Sequence, residues 1–170
     1  MDYKILKEKV YEDFKRVKDF FPLLNLVEPP MSISTFMLYG RLIPYNIYKY
    51  TSESNVEDYS LYINATYSNE FPSENITNIK DVNYKINWSL IPKDHRHKFI
   101  TGNLCTHHPY GELKNVAIEE RSIKILLSAY RLYSQYKLFV ETGIWEIEDL
   151  KHGFLADLRL AKEGYTFEED

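Results

Sequence analysis

Apolar residues recur every three to four positions at Leu6, Val10, Phe14, Val17 and Phe21, with Lys and Glu between them. That spacing follows one face of a helix and predicts an amphipathic helix at the start of the chain. Asp2 stands where an N-cap belongs, and Pro22 where a helix must stop. The next stretch, "LLNLVEPPMSIST", carries the Pro30 break and reads as a connection. The period then shortens to two. "STFMLYGRLIPYNIYKY", "DYSLYINATYSNEF" and "VNYKINWSLI" are rich in β-branched and aromatic residues, with polar clusters such as "TSESNVED" between them. They predict an antiparallel meander of about four strands. "NEFPSENITNIKD" is polar and reads as loop.

Helical spacing returns in "ERSIKILLSAYRLYSQYKLFVETG". Ile123, Leu126, Leu127, Tyr130, Tyr133, Leu138 and Phe139 occupy more than half of that helix's girth, so it should be largely buried against the sheet. Gly143 sits where a left-handed C′ residue would end it. "DLKHGFLADLRLAKEG" suggests a shorter closing helix, and residues 164–170 read as a frayed acidic tail. The order of helix, antiparallel sheet and C-terminal helices predicts a single α+β domain over residues 1–170.

The length suits one domain with a real core. Fifteen Tyr and nine Phe mean that rings fill much of it. A net charge of −4 without a Lys/Arg-dense stripe argues against nucleic acid as a partner. No run of eighteen apolar residues suggests a membrane span. The charged N-terminus does not read as a signal peptide. Glycosylation sequons occur at Asn64, Asn75 and Asn87, but without secretion they carry no meaning. A lone cysteine allows no internal disulfide, and a reducing cytoplasm is the expected compartment.

Chemistry concentrates in "DHRHKFITGNLCTHHPYGE", residues 94–112, which hold the sole cysteine and four of the five histidines. A single cysteine is most often a small buried hydrophobe. Here turn and loop residues flank Cys105, and His95 and His97 would share one face of a strand. His95, His97, Cys105 and His107 form one possible zinc ligand set. A protease-like Cys/His pair is another reading, although the local signatures of such proteases are missing.

The line from His95 to Cys105, "HRHKFITGNLC", resembles the active-site line of ubiquitin-conjugating enzymes: His-Pro-Asn, four residues, Gly, any residue, Ile or Leu, then the catalytic Cys. The His-to-Cys spacing, Gly102 and Leu104 match, whereas Arg96 and His97 replace the family's Pro and Asn. The predicted layout is also similar to that fold, so the resemblance spans most of the chain. "GNLCTHHP", a helix and then Gly143, Trp145 and His152 resemble the bacterial branch, whose stand-alone members occur in anti-phage CBASS operons. Gly143 and Trp145 also have simple structural readings, as a helix cap and a core plug.

The resemblance implies a transferase that carries an acyl group as a thioester on Cys105. A cGAS-like nucleotidyltransferase or a ubiquitin-like modifier would be the acyl donor, with an activating enzyme as a further partner, and no metal or nucleotide cofactor is needed at the cysteine. The position of His97 implies donation of an N–H to the oxyanion, and His95 a structural role. His107, His108 and Glu112 are candidates to take the proton of the incoming amine. A catalytically inactive binding module of the same fold is the alternative from another class.

Overall fold

Asp2 starts the first helix, α1 (Tyr3–Phe20), by accepting a hydrogen bond from the Lys4 amide at 3.1 Å. The helix ends ahead of Pro22, which has no amide to continue it. A computed structural model of the chain describes residues 2–30, 35–69, 71–72, 75–92, 102–104, 113 and 115–145. Among the described residues, four strands make one antiparallel sheet in chain order: β1 (Leu24–Val27), β2 (Met37–Leu42), β3 (Leu61–Tyr67) and β4 (Ile76–Asp81). Two short helices, α2 (Tyr45–Tyr48) and α3 (Val56–Tyr59), lie between β2 and β3. The long helix α4 (Ile118–Thr142) contacts α1 and β4. The architecture is α+β, as the hydrophobic periods predict.

Strand alternation sets the faces. Leu61, Ile63, Ala65 and Tyr67 of β3 are buried, while Tyr62, Asn64 and Thr66 point the other way and are half-buried. On α4, Ile123, Leu126, Leu127, Tyr130 and Tyr133 are buried, and Leu138 and Phe139 only partly so. Gly143 closes that helix in a left-handed conformation, φ 72°, with its N–H on the Phe139 carbonyl at 2.7 Å. Gly40, at φ 129°, faces β1; a Cβ there would stand 2.4 Å from the Leu23 carbonyl oxygen. Only glycine lets β1 and β2 approach this closely.

The strand positions need three corrections. Leu24–Val27, within the stretch read as a connection, is β1. Four residues suffice because antiparallel pairing to Met37–Gly40 holds them. The run "PYNIYKY" is not strand but begins α2, whose N-cap is Pro44. The largest difference lies between residues 76 and 92. Ile76–Asp81, read as loop, is β4, whereas "VNYKINWSLI" is turn and a short 3₁₀ helix at Trp88–Leu90. Asn78 has φ 54°, and the pairing of β3 with β4 shifts register between Asn64 and Thr66. This irregularity puts the two buried residues of β4, Ile76 and Ile79, three positions apart instead of two. In "VNYKINWSLI", Val82 and Tyr84 are exposed, at 40% and 89%, while Ile86 and Ile91 are buried, so the alternation there does not follow one strand face.

Asp13 is the one charged side chain buried among the described residues, at 1% exposure. It lies on the apolar stripe of α1 between Val10 and Val17. Ser122 of α4 donates to its Oδ2 at 2.6 Å, and Tyr67 of β3 does so at 2.9 Å. Asn75 Nδ2 reaches Oδ1 at 3.4 Å, Ser122 Oγ at 2.9 Å and the Ile118 carbonyl at 3.1 Å. One carboxylate thus ties α1 to β3, to the start of β4 and to α4. Burial pushes the Asp13 carboxyl above its ordinary range; the bonds from Ser122 and Tyr67 and the Arg16 charge pull the other way but are smaller. The same burial, with the Asp13 charge, holds the Tyr67 hydroxyl well above the usual tyrosine range.

Candidate functional site

Gly102, Asn103 and Leu104 are the described residues nearest the sole cysteine. Leu104 is 3% exposed, and its N–H donates to the Ile79 carbonyl of β4 at 2.8 Å. This bridge adds a single pairing to the free side of β4, the last strand of the sheet. Gly102 has φ 86°, and no described residue lies within 4 Å of where its Cβ would be. The left-handed turn is by itself enough to favour glycine there. The aliphatic residue of the Gly-x-Leu-Cys line therefore anchors in the core, and the glycine turns the chain into the anchor.

Asn103 adds a side-chain link. Its Nδ2 donates to Asn78 Oδ1 at 3.0 Å, and Asn78 Nδ2 donates to Thr66 Oγ1 at 3.3 Å. The left-handed backbone of Asn78, a conformation that Asn tolerates better than most residues, goes with this link. Asn103 is only 9% exposed, and its buried Oδ1 has no hydrogen-bond partner among the described residues. An unpaired buried acceptor costs about 1–3 kcal/mol. The residue therefore carries a local cost two positions ahead of the cysteine.

Cys105, His95, His97, His107, His108, Glu112 and His152 lie outside the described residues. The proposed zinc ligands lie there too; among the described residues no cluster of His, Cys, Asp or Glu could hold a metal. Gly143 and Trp145 of the second signature are described. Gly143 caps α4, and Trp145 is half-buried, with its ring edge-on to Phe139 at 5.6 Å between centroids. Both thus have packing roles. No helix among the described residues is long and apolar enough to cross a membrane.

No protein-family model, curated protein or solved structure matches this chain.

Two open hollows lie elsewhere. One, of about 430 Å³, includes Gly40, Arg41, Tyr48, Glu57 and Tyr62 in its wall, and Arg41 is ion-paired with Glu57. The other, of about 270 Å³, is lined by Lys85, Tyr133 and Lys137 among others. Lys85 donates to the Glu57 and Ser60 carbonyls and sits over the Tyr133 ring, 5.1 Å from its centroid. Burial lowers its ammonium below the ordinary lysine range. Lys137 donates to the Asp58 carbonyl and carboxylate, each at 2.9 Å. These lysines neutralise the carbonyl end of α3, as cations at a helix C-terminus do. Neither hollow includes a residue of the 102–104 run.

Sequence reasoning singled out Gly102 and Leu104 but gave Asn103 no role and did not see Asn78 or Asp13. Asn103 fills the variable position of the line, so spacing carries no signal for it. Asp13 did leave one: an acid in register with the apolar stripe of α1.

Proposed function

We propose that this chain is a cysteine acyl carrier of the ubiquitin-conjugating type. Cys105 forms a thioester with the C-terminal carboxyl of a protein and passes the acyl group to an amine. The observation that carries the reading is the Gly102–Leu104 run, which is pinned to the last strand of a four-stranded antiparallel sheet and leads directly into the sole cysteine. The order of helix, meander, cysteine segment and long helix is in keeping with it.

The chemistry runs in two steps. The Cys105 thiolate attacks an activated C-terminal carbonyl; the C–S bond forms, and the activating group, AMP or an activating enzyme's thiol, leaves. An amine then attacks the thioester, the C–N bond forms and the C–S bond breaks. Sγ leaves as thiolate, and the amine proton passes to a base for which His107, His108 and Glu112 are candidates. The His97 N–H supports the oxyanion of each tetrahedral intermediate. A cGAS-like nucleotidyltransferase in anti-phage defence is the acyl donor we favour, with a ubiquitin-like modifier as the alternative, and the cytoplasm is the compartment.

The test is to express the chain with the proteins encoded beside it and run the products on a non-reducing gel. The reading predicts an adduct that thiol reagents remove and that Cys105→Ala lacks. A wild-type chain that forms no such adduct acts instead as a binding module. An adduct that persists in Cys105→Ala moves the acyl group off the cysteine.

A further inference from the structure

We propose that Asn103 is a positioning residue for Cys105, acting as one unit with Asn78; this rests on the reading of Cys105 as the acyl carrier. Two hydrogen bonds hold the backbone entering the cysteine, beside the buried Leu104 side chain. One is the Leu104 N–H on the Ile79 carbonyl at 2.8 Å, and the other is the Asn103 amide on Asn78 Oδ1 at 3.0 Å. Asn78 is itself anchored through Nδ2 to Thr66 Oγ1 at 3.3 Å, in the irregular stretch where β3 and β4 shift register. A chain of three side chains thus leads from the sheet to the residue two positions before the thiol.

Stability does not account for this amide. Asn103 is buried, and one of its two polar groups has no partner among the described residues. A leucine of similar size would remove that unpaired acceptor. It would strand nothing, because Asn78 is exposed and water can take its Oδ1. The fold would do as well or better without the polar group, so the group serves something else. What the link does provide is a fixed entry into Cys105. Without it, the Leu104 bridge and the buried Leu104 side chain are the described anchors that remain.

The test uses the full chain with iodoacetamide as the probe, because a sole cysteine makes each alkylation event unambiguous by mass spectrometry. Alkylation rate against pH is measured for wild type, Asn103→Leu, Asn78→Gly and the double variant, beside a thermal melt of each. Glycine keeps the left-handed backbone of position 78 and removes its bonds to Asn103 and Thr66 together. Each single variant should lower the alkylation rate or move its pH midpoint, and slow acyl discharge roughly tenfold, since a small misplacement at a reacting group is costly. The double variant should be no worse than either single, because both break one link. Asn103→Leu should melt at the wild-type temperature or above. An unchanged alkylation profile in Asn103→Leu overturns the proposal, as does a loss of reactivity matched by a loss of melting temperature. If Asn103→Leu does not fold, Asn78→Gly decides by the same profile. Thiol-labile adducts formed with unchanged profiles sink the positioning role alone. Shifted profiles without any adduct sink the conjugation reading and leave the positioning role standing.

Discussion

Replacing Asp13 in two ways separates what its charge does from what its shape does. Asp13→Ala removes the acceptor for the Ser122 hydroxyl at 2.6 Å, the Tyr67 hydroxyl at 2.9 Å and the Asn75 amide at 3.4 Å. Each buried donor left without a partner costs about 1–3 kcal/mol. The Asn75 amide keeps its bonds to Ser122 Oγ and the Ile118 carbonyl, and a desolvated charge is relieved, so the net loss comes to about 3 kcal/mol, near the lower end for breaking a buried polar network. Asp13→Asn keeps an acceptor for Tyr67 and Ser122 and imitates the protonated acid, which burial favours. It should cost less than about 1 kcal/mol. Urea unfolding at neutral pH, followed by far-UV circular dichroism, measures both. The pH dependence follows from the raised carboxyl. The folded chain binds this proton at a higher pH than the unfolded chain does. Asp13 therefore contributes stability that is full below its ordinary value of 3.8 and is lost as the pH rises through the folded value. Wild type minus Asp13→Asn should accordingly gain stability on acidification through that window. If Asp13→Asn is as damaging as Asp13→Ala, or the difference falls with acid, the charge holds the junction and the argument from burial is wrong.

Two further outcomes are specific. Gly40→Ala would push a methyl to 2.4 Å from the Leu23 carbonyl oxygen at φ 129°, and should cost about 3 kcal/mol or more in the same urea assay; a loss under about 1 kcal/mol would mean that β1 does not cross β2 so closely. His97→Ala should slow discharge of a preformed Cys105 thioester to lysine by about two to three orders of magnitude while loading changes far less; single-turnover kinetics reads both, and wild-type discharge would remove His97 from the oxyanion.

The helices were legible because their signals are local and redundant. In α1, the stripe through Val10 and Val17, the Asp2 cap and the Pro22 stop all agree, and in α4 the apolar girth ends at a left-handed Gly143. The sheet was legible in class and strand number but not in placement. At β4 the irregularity around Asn78 spoils period-two alternation, so Ile76 and Ile79 look like scattered apolar residues in a polar loop. At residues 82–91 the alternation is present but follows no strand face: Val82 and Tyr84 are exposed, while Ile86 and Ile91 are buried from irregular backbone. Sequence period reports side-chain type, and only packing decides whether that type is used. Of the candidate site, Gly102 and Leu104 were readable as motif positions. The Asn78–Asn103 link was not, because it joins residues twenty-five apart through a conformation that neither residue type dictates.

The Leu104 bridge has a second consequence. β4 ends the sheet, and the edge of a sheet is a template on which another chain can add a strand. The Ile79 carbonyl, which would otherwise be open to such an addition, is already taken by the residue that precedes Cys105. Any change that frees the cysteine segment also bares part of this edge. Substitutions that break the Leu104 bridge should therefore raise the tendency to self-associate, and the colloidal behaviour of such variants would report on this contact.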